Sequence, residues 1–143
     1  MKEKLVIIGN GMAPGRMLEH LFEAAPGRFE VTIFNAEPRV NYDRIMLSPV
    51  LSGEKSYDDI VIHGDGWYIR NGITLYKGHR VVAIDRAART VTSDQGVTES
   101  YDRLVIATGS VPFIIPVPGA NLPGVITYRD LDDVNAMLLA AQA

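Results

Sequence analysis

Cysteine is absent from all 143 residues. That excludes disulfides, thiolate metal sites, iron–sulfur cluster ligands and redox-active thiols within this chain. Long apolar runs are absent too. No stretch approaches the roughly 18 residues of a membrane-spanning helix, and the opening run Leu5-Val6-Ile7-Ile8 is too short for a secretory signal. The expectation is a cytoplasmic protein with no membrane contact. Neither sign of charge dominates: 14 basic against 17 acidic side chains leave a formal charge of −3. No electrostatic reason for nucleic-acid binding follows. The three histidines, His20, His63 and His79, show no metal-ligand spacing and are expected to be surface or structural residues. No repeat and no low-complexity segment is present. What remains, 47% hydrophobic and 22% charged residues, is the balance of one globular domain with a real core.

Leu5 to Ile8 is a continuous, β-branched apolar run, the pattern of a strand buried on both faces of a parallel sheet. Met12 to Ala25 carries Met17, Leu18, Leu21 and Phe22 at helical spacing, and Pro26-Gly27 stops it. Val31 to Phe34 is the next strand, so the first 34 residues predict a parallel βαβ unit. Residues 35–56 are irregular, with a short helix expected over Leu47–Leu51. A long connection of this kind usually has a job. A short helix over Gly66–Asn71 and a strand over Ile73–Tyr76 follow. Val81–Ile84, Thr90–Thr92 and Val97–Tyr101 predict a small antiparallel meander. Leu104 to Ala107 is another buried strand, a proline-rich bend covers Pro112–Pro123, and a last helix begins near Arg129-Asp130. That helix pattern continues to Ala143 without a C-cap glycine, which suggests a fragment of a longer chain.

The turn after the first strand, Gly9-Asn10-Gly11, has two readings. Gly9 permits a tight turn, Gly11 lets backbone approach a pyrophosphate, and the helix that follows aims N–H groups and partial positive charge at an anion. The third glycine of a G-x-G-x-x-G pattern would be residue 14, which is Pro, with Gly15 one place late. Proline in the first helical turn costs little, so the phosphate-binding half of the pattern survives and the packing half is altered. The other reading is a plain structural corner. An acid near the end of the second strand can take ribose hydroxyls. Glu37, roughly 20 residues past the glycines, is the candidate, with Asn35 as the alternative. Arg39 and Arg44 carry guanidinium forks suited to phosphate or are surface arginines. The Thr108-Gly109 turn at the end of "LVIATGS" lets a ligand or another backbone come close. Asp58-Asp59 and Asp132-Asp133 are expected to be solvated helix-start charges. Trp67 and Tyr68 are expected to be core or lid packing.

Taken in order, "VIIGNGMAPGR", "VTIFNAEPRVNYDRIMLS", "YDRLVIATGSVP" and "YRDLDD" resemble the N-terminal part of the pyridine-nucleotide-disulfide oxidoreductase superfamily. Within it the chain is most similar to the FAD-binding region of NAD(P)H-dependent nitrite reductase large subunits. The resemblance covers nearly the whole chain, 1–143. It implies an α/β, Rossmann-like parallel sheet with an inserted antiparallel meander. It also implies an FAD site. Gly9, Gly11, Met12 and Ala13 match the pyrophosphate loop, and Glu37 matches the ribose acid. Arg44 matches an arginine near the flavin or its pyrophosphate. Val81 matches the position whose backbone meets adenine, and Thr108 and Gly109 match the turn beside the cofactor. No catalytic residue and no metal ligand is implied here. Disulfide-using members carry a redox cysteine in the segment equivalent to Arg44–Leu47, where this chain has Arg, Ile, Met and Leu. Any flavin would then pass electrons on without a thiol. The NAD(P)H domain, iron–sulfur cluster and sirohaem are implied only for regions beyond residue 143, as partner domains of a longer chain that reduces nitrite to ammonia. Alternatives are a ferredoxin- or rubredoxin-reductase-like flavoprotein and a non-catalytic nucleotide-binding module. Self-association into a homodimer is left open.

Overall fold

A computed structural model of the chain describes residues 2–142. The chain divides into two units: residues 1–42 with 61–109, and residues 43–60 with 110–143.

The first unit is built on the expected βαβ motif. Strand β1 (Glu3–Ile8) leads into helix α1 (Met12–Ala24), and β2 (Phe29–Asn35) returns parallel to β1, with Ile7 opposite Ile33 and Ile8 opposite Phe34. Both strands carry uninterrupted buried stretches, Leu5–Ile8 and Val31–Asn35, as a sheet covered on both faces requires. The α1 face marked by Pro14, Gly15 and Leu18 is buried, and the helix ends where the Ala25 N–H bonds the Leu21 carbonyl. Strand β3 (Thr74–Lys77) adds parallel to β2, and a strand at Arg103–Ile106 adds parallel to the free side of β1.

Between them comes the meander. Strands β4 (Val81–Asp85), β5 (Thr90–Ser93) and β6 (Thr98–Ser100) form a separate antiparallel sheet, and the Arg103–Ile106 strand is therefore β7. The parallel sheet runs β3-β2-β1-β7. The two sheets share a core in which Val6, Ile8, Phe34 and Val91 are buried, with Tyr76, Val81, Val97, Tyr101 and Leu104 packed on them. The Phe34 and Tyr76 rings stack at 5.0 Å. The Tyr76 hydroxyl donates to the Glu99 carboxylate at 2.8 Å, which ties the parallel sheet to the meander. That hydrogen bond, ahead of desolvation, raises the Tyr76 pKa. Alternation along β1 sends Leu5 and Ile7 to the opposite face, where a right-handed crossover puts α1. Helix α2 (Asp65–Arg70) lies between the Asn41–His63 region and β3.

The second unit is smaller. A single 3-10 turn, Arg44–Met46, runs into helix α3 (Leu47–Leu51), followed by α4 (Tyr57–Ile60). Helix α5 (Leu131–Ala140) packs on α3, and Leu47, Val50, Leu131 and Val134 are buried. Asp130 and Asp133 form a reciprocal capping box at the start of α5, worth about 1 kcal/mol. The expected solvated charges at Asp132-Asp133 are thus half right. Asp132 is exposed, while Asp133 holds the N–H groups of Arg129 and Asp130 and the Thr127 hydroxyl.

One expectation fails: the run expected to be a buried strand over Leu104–Ala107 is the edge strand β7, only half-buried, with Ile106 63% exposed. The other departures are small. β2 includes Asn35, the last meander strand shortens to Thr98–Ser100, and α5 ends at Ala140 rather than running on. Element ends fray by a residue or two where hydrogen bonds run out. Ala143, included in the expected helix, lies outside the described residues. Helix α4 carries Asp58 and Asp59 in its first turn, as expected of helix-start charges, although no bounds were expected for it. Ser56 starts it by donating its N–H and hydroxyl to Asp59 at 2.7 and 2.8 Å, so Asp59 is a cap partner. No helix among the described residues is long and apolar enough to cross a membrane.

Phe34 is where the two sheets of the first unit meet, and it is 1% exposed. Phe34→Ala is expected to cost about 3–5 kcal/mol through lost burial and the cavity left behind, read as a lowered urea midpoint. A loss below about 1 kcal/mol would mean that the sheets do not share this core.

Candidate functional site

In a doubly wound sheet, ligands bind outside the carboxyl ends of the strands where chain direction reverses. Here that point lies between β1 and β7, because the chain leaves β1 toward β2 and later returns on the other side of β1. Gly9 sits at it. The Gly9 N–H bonds the Phe34 carbonyl at 2.8 Å, so the turn is tied to the end of β2. Its φ is +105°, and a Cβ on it would lie 2.2 Å from the Ala107 carbonyl oxygen and 3.2 Å from the Thr108 Cα. Glycine is therefore required twice, by conformation and by the approach of the Ala107-Thr108-Gly109 turn.

Gly11 caps α1 with no side-chain hydrogen bond, and the first turn of the helix carries no acid. The first backbone bond of the helix runs from Gly15 N–H to the Gly11 carbonyl at 3.3 Å. Pro14 has no N–H to offer, so Gly11, Met12 and Ala13 supply the amide donors of this terminus. A Cβ on Gly11 would meet nothing within 4 Å. The space in front of the helix is open, and the dipole there favours an anion.

The displaced glycine has its own task. A Cβ on Gly15 would lie 2.7 Å from the Asn41 side-chain nitrogen and 3.3 Å from the His63 ring. Gly15 therefore packs against the Asn41–His63 region, a role the sequence did not reveal. Behind it runs a buried polar network. The Asn41 side-chain oxygen Oδ1 accepts the His63 backbone N–H at 2.9 Å, which leaves the side-chain nitrogen Nδ2 facing His63 Nδ1 at 3.0 Å. Nδ1 must then accept, and Nε2 donates to Glu19 on α1 at 2.8 Å. The His63 ring stacks on Trp67 at 3.9 Å. Hydrogen bonding from Arg16, and then from His63, holds the Glu19 carboxyl below its usual range. His63 is thus structural, as expected, and Trp67 and Tyr68 are packing residues, with Tyr68 fully buried.

At the end of β2, Asn35 is buried and donates its side-chain amide to the Arg39 carbonyl at 2.8 Å. It shapes the turn. Glu37 follows on a half-buried loop, where its carboxylate accepts from the Tyr42 hydroxyl at 2.8 Å and from Arg39 at 3.2 Å. The β3–β4 link is stitched to the same turn by Gly78 N–H to the Glu37 carbonyl and His79 N–H to the Asn35 carbonyl, at 3.0 and 2.8 Å. Val81 opens β4 two residues later. Within the first unit, then, Gly9, Gly11, Met12, Ala13, Glu37, Val81, Thr108 and Gly109 belong to segments at the carboxyl ends of β1, β2, β3 and β7. Arg44 belongs to the second unit, where its guanidinium donates to the Arg129 carbonyl at 3.2 Å. Arg39, one of two phosphate candidates, is engaged with Glu37. His79 bonds Ser93 at 3.2 Å, and His20 lies 3.7 Å from Glu23. Among the described residues no group of three or more His, Cys, Asp or Glu could hold a metal ion.

A family model described as pyridine nucleotide-disulphide oxidoreductase matches residues 3–143. Nitrite reductase [NAD(P)H] of Bacillus subtilis is 45% identical over 141 residues, which are 99% of this chain and 18% of that protein. The assimilatory nitrate reductase electron transfer subunit of the same organism is 46% identical, with the same coverage. The chain therefore spans about a fifth of the length of these relatives. Among solved structures, a ferredoxin reductase from Rhodopseudomonas palustris superposes with a TM-score of 0.88 at 26% identity, over 99% of this chain and 35% of that one.

The Glu19 carboxyl carries a pH dependence. Its folded pKa lies below its ordinary value of 4.5, so its contribution to stability is fully present above that value and is lost as pH falls through the folded pKa. Between pH 6 and pH 3 the urea midpoint of Glu19→Gln should fall less than that of the wild type. Parallel curves would show that the hydrogen bonds from Arg16 and His63 contribute nothing.

Proposed function

Because the chain belongs to the pyridine nucleotide-disulphide oxidoreductase family, we propose that it is the FAD-binding part of a flavoprotein oxidoreductase. The longer protein would use NAD(P)H to reduce nitrite to ammonia in the cytoplasm. One observation carries the reading: the uncapped, acid-free start of α1 opens beside Gly11 at the β1/β7 switch point, where even a Cβ would meet nothing. Those residues fit a diphosphate. The Gly11, Met12 and Ala13 amides would hold its oxygens, and Gly11 keeps side chains out of the way. The Glu37 carboxylate, steadied by Tyr42 and Arg39, would accept from the ribose hydroxyls of the adenosine half. Val81, carried to the same turn by the Gly78 and His79 bonds, would present backbone to the adenine. Thr108 and Gly109 would border the cofactor from the β7 side.

When bound, FAD supplies acceptance of a hydride and release of electrons one at a time. The role of this chain's residues is to bind and orient. With no cysteine in the sequence, they offer no thiol relay. The NAD(P)H domain, iron–sulfur cluster and sirohaem would belong to the rest of the longer protein. The likeness to nitrite reductases in sequence supports nitrite as the acceptor. The likeness in shape to a ferredoxin reductase favours a second reading, in which the acceptor is a small iron–sulfur protein. The apolar side chains Val111, Phe113, Ile115 and Val117 are all more than half exposed, which supports further protein surface covering that segment in the complete enzyme.

The adenosine half tests the reading on this chain. FAD should bind weakly, because the remainder of the flavin site would lie elsewhere, and ADP should compete with it. Glu37→Ala is expected to remove charge-assisted bonds of about 1.5–3 kcal/mol, a roughly tenfold to hundredfold loss of affinity by calorimetry. Gly11→Val should abolish FAD and ADP binding without unfolding the chain. Unchanged affinity in both folded variants would rule out the nucleotide site.

A further inference from the structure

The residue between the two glycines of the turn, Asn10, is 6% exposed. Burying an amide side chain unpaired costs about 1–3 kcal/mol, so its partner matters. That partner is the phenol of Tyr68 on α2, 58 residues away: the hydroxyl oxygen is 3.0 Å from Asn10 Nδ2 and 3.2 Å from Asn10 Oδ1. Tyr68 is itself 3% exposed. Its ring is held edge-on by Trp67 and His63, at 5.1 and 6.5 Å, and the Asn41 backbone N–H also reaches its oxygen. Burial raises the Tyr68 pKa, so the phenol stays a donor over the working pH range.

The geometry points to Tyr68 and Asn10 as a positioning pair that sets the diphosphate-binding turn before any nucleotide arrives. This rests on the function proposed above. Backbone contacts fix the turn at Gly9, and beyond Gly9 little side chain is available to hold it. Gly9 and Gly11 have no side chains, and Gly11 caps the helix without one. Asn10 is the one residue of the three that can be gripped, and the grip comes from a helix whose Tyr68 carbonyl accepts the N–H of Ile73, the residue before β3, at 2.9 Å. The same helix is joined to α1 through Trp67, His63 and Glu19, so both the turn and the helix it opens are referred to one support. With the turn preset, the amides of Gly11, Met12 and Ala13 need no reordering when an anion binds, and the affinity otherwise spent on ordering is retained.

The pair acts on the diphosphate and not on the adenosine, which separates positioning from general stability. Tyr68→Phe keeps the ring and removes the hydroxyl. It is expected to weaken ADP binding about threefold to tenfold and to leave adenosine binding, followed by ligand-observed NMR, within about twofold. Amide hydrogen exchange without nucleotide should rise at residues 10–13 and stay unchanged in β2. Asn10→Ala removes the pair from the other end and should give the same pattern, with the double variant no worse than either single one. Equal losses for ADP and adenosine, unchanged ADP affinity, or additive single effects would each overturn the proposal. Loss of fold in both variants would also overturn it, because the pair would then support the domain and not the turn. A wild-type chain that binds neither ADP nor FAD would reject the nucleotide site itself, a failure distinct from wild-type binding that the variants do not change.

Discussion

Two backbones meet at Gly9 more closely than any side chain allows. The turn after β1 comes against the Ala107 carbonyl at a distance where a Cβ would overlap it, and on its other side it is bonded to the end of β2. Parallel strands of one sheet lie about 4.8 Å apart, so a chain that turns between two of them has no lateral room. Everything else about the site follows from solving that confinement with glycine. The turn is tight enough for α1 to start at once, its amides face outward, and the Thr108-Gly109 turn borders them. Other L-residues at position 9 would have to adopt a positive φ and also displace the end of β7.

The irregular glycine pattern has a physical account in the same terms. A helix lying on a sheet needs a small residue where it comes nearest its neighbours. In this chain the tight contact made by Gly15 is with Asn41 and His63, segments that no strand pattern describes. The proline one place earlier falls where the helix has no internal acceptor for its nitrogen. It thus leaves the ladder intact while removing one of the outward donors. Fewer amides would face an anion than in an unsubstituted helix start, and those that remain are carried by Gly11, Met12 and Ala13.

How much of this was legible in the sequence depends on the range of the interaction. Strands buried on both faces must be apolar without interruption, so Leu5–Ile8 and Val31–Phe34 declared themselves, and α1 followed from helical spacing. Leu47–Leu51 matched the observed helix in both bounds. The polar support behind the turn did not declare itself. Asn41 and His63 are 22 residues apart and His63 and Glu19 are 44 apart, and the stretch that holds Asn41 has no period to read. Tyr68 was recognisable as packing, but nothing local joins it to Asn10. One signal was available: a polar side chain between two turn glycines, next to a strand buried on both faces, must find a partner. Helix α4 was signalled only by the helix-start charges Asp58-Asp59, and four residues are too short for periodicity to give its bounds, although Ser56 and Asp59 have the spacing of a helix-starting cap.

The charges of the first unit are arranged so that the two chemistries proposed for the site do not oppose each other. An anion at the start of α1 would meet only backbone dipoles, since the first helical turn holds no acid. A carboxylate placed there to grip a sugar would repel it. The one acid assigned to the sugar stands instead at the end of β2, and Arg39 at 3.2 Å offsets its charge. The Tyr42 hydroxyl adds a neutral donor to the same oxygen, which fixes the direction of the carboxylate without adding charge. A carboxylate that is oriented and partly neutralised can accept from two hydroxyls while contributing little field at the diphosphate. Separating the acid from the anion site therefore depends on the length of β2 and on the Asn35–Arg39 turn that ends it. The buried amide of Asn35 holds the shape of that turn through the Arg39 carbonyl.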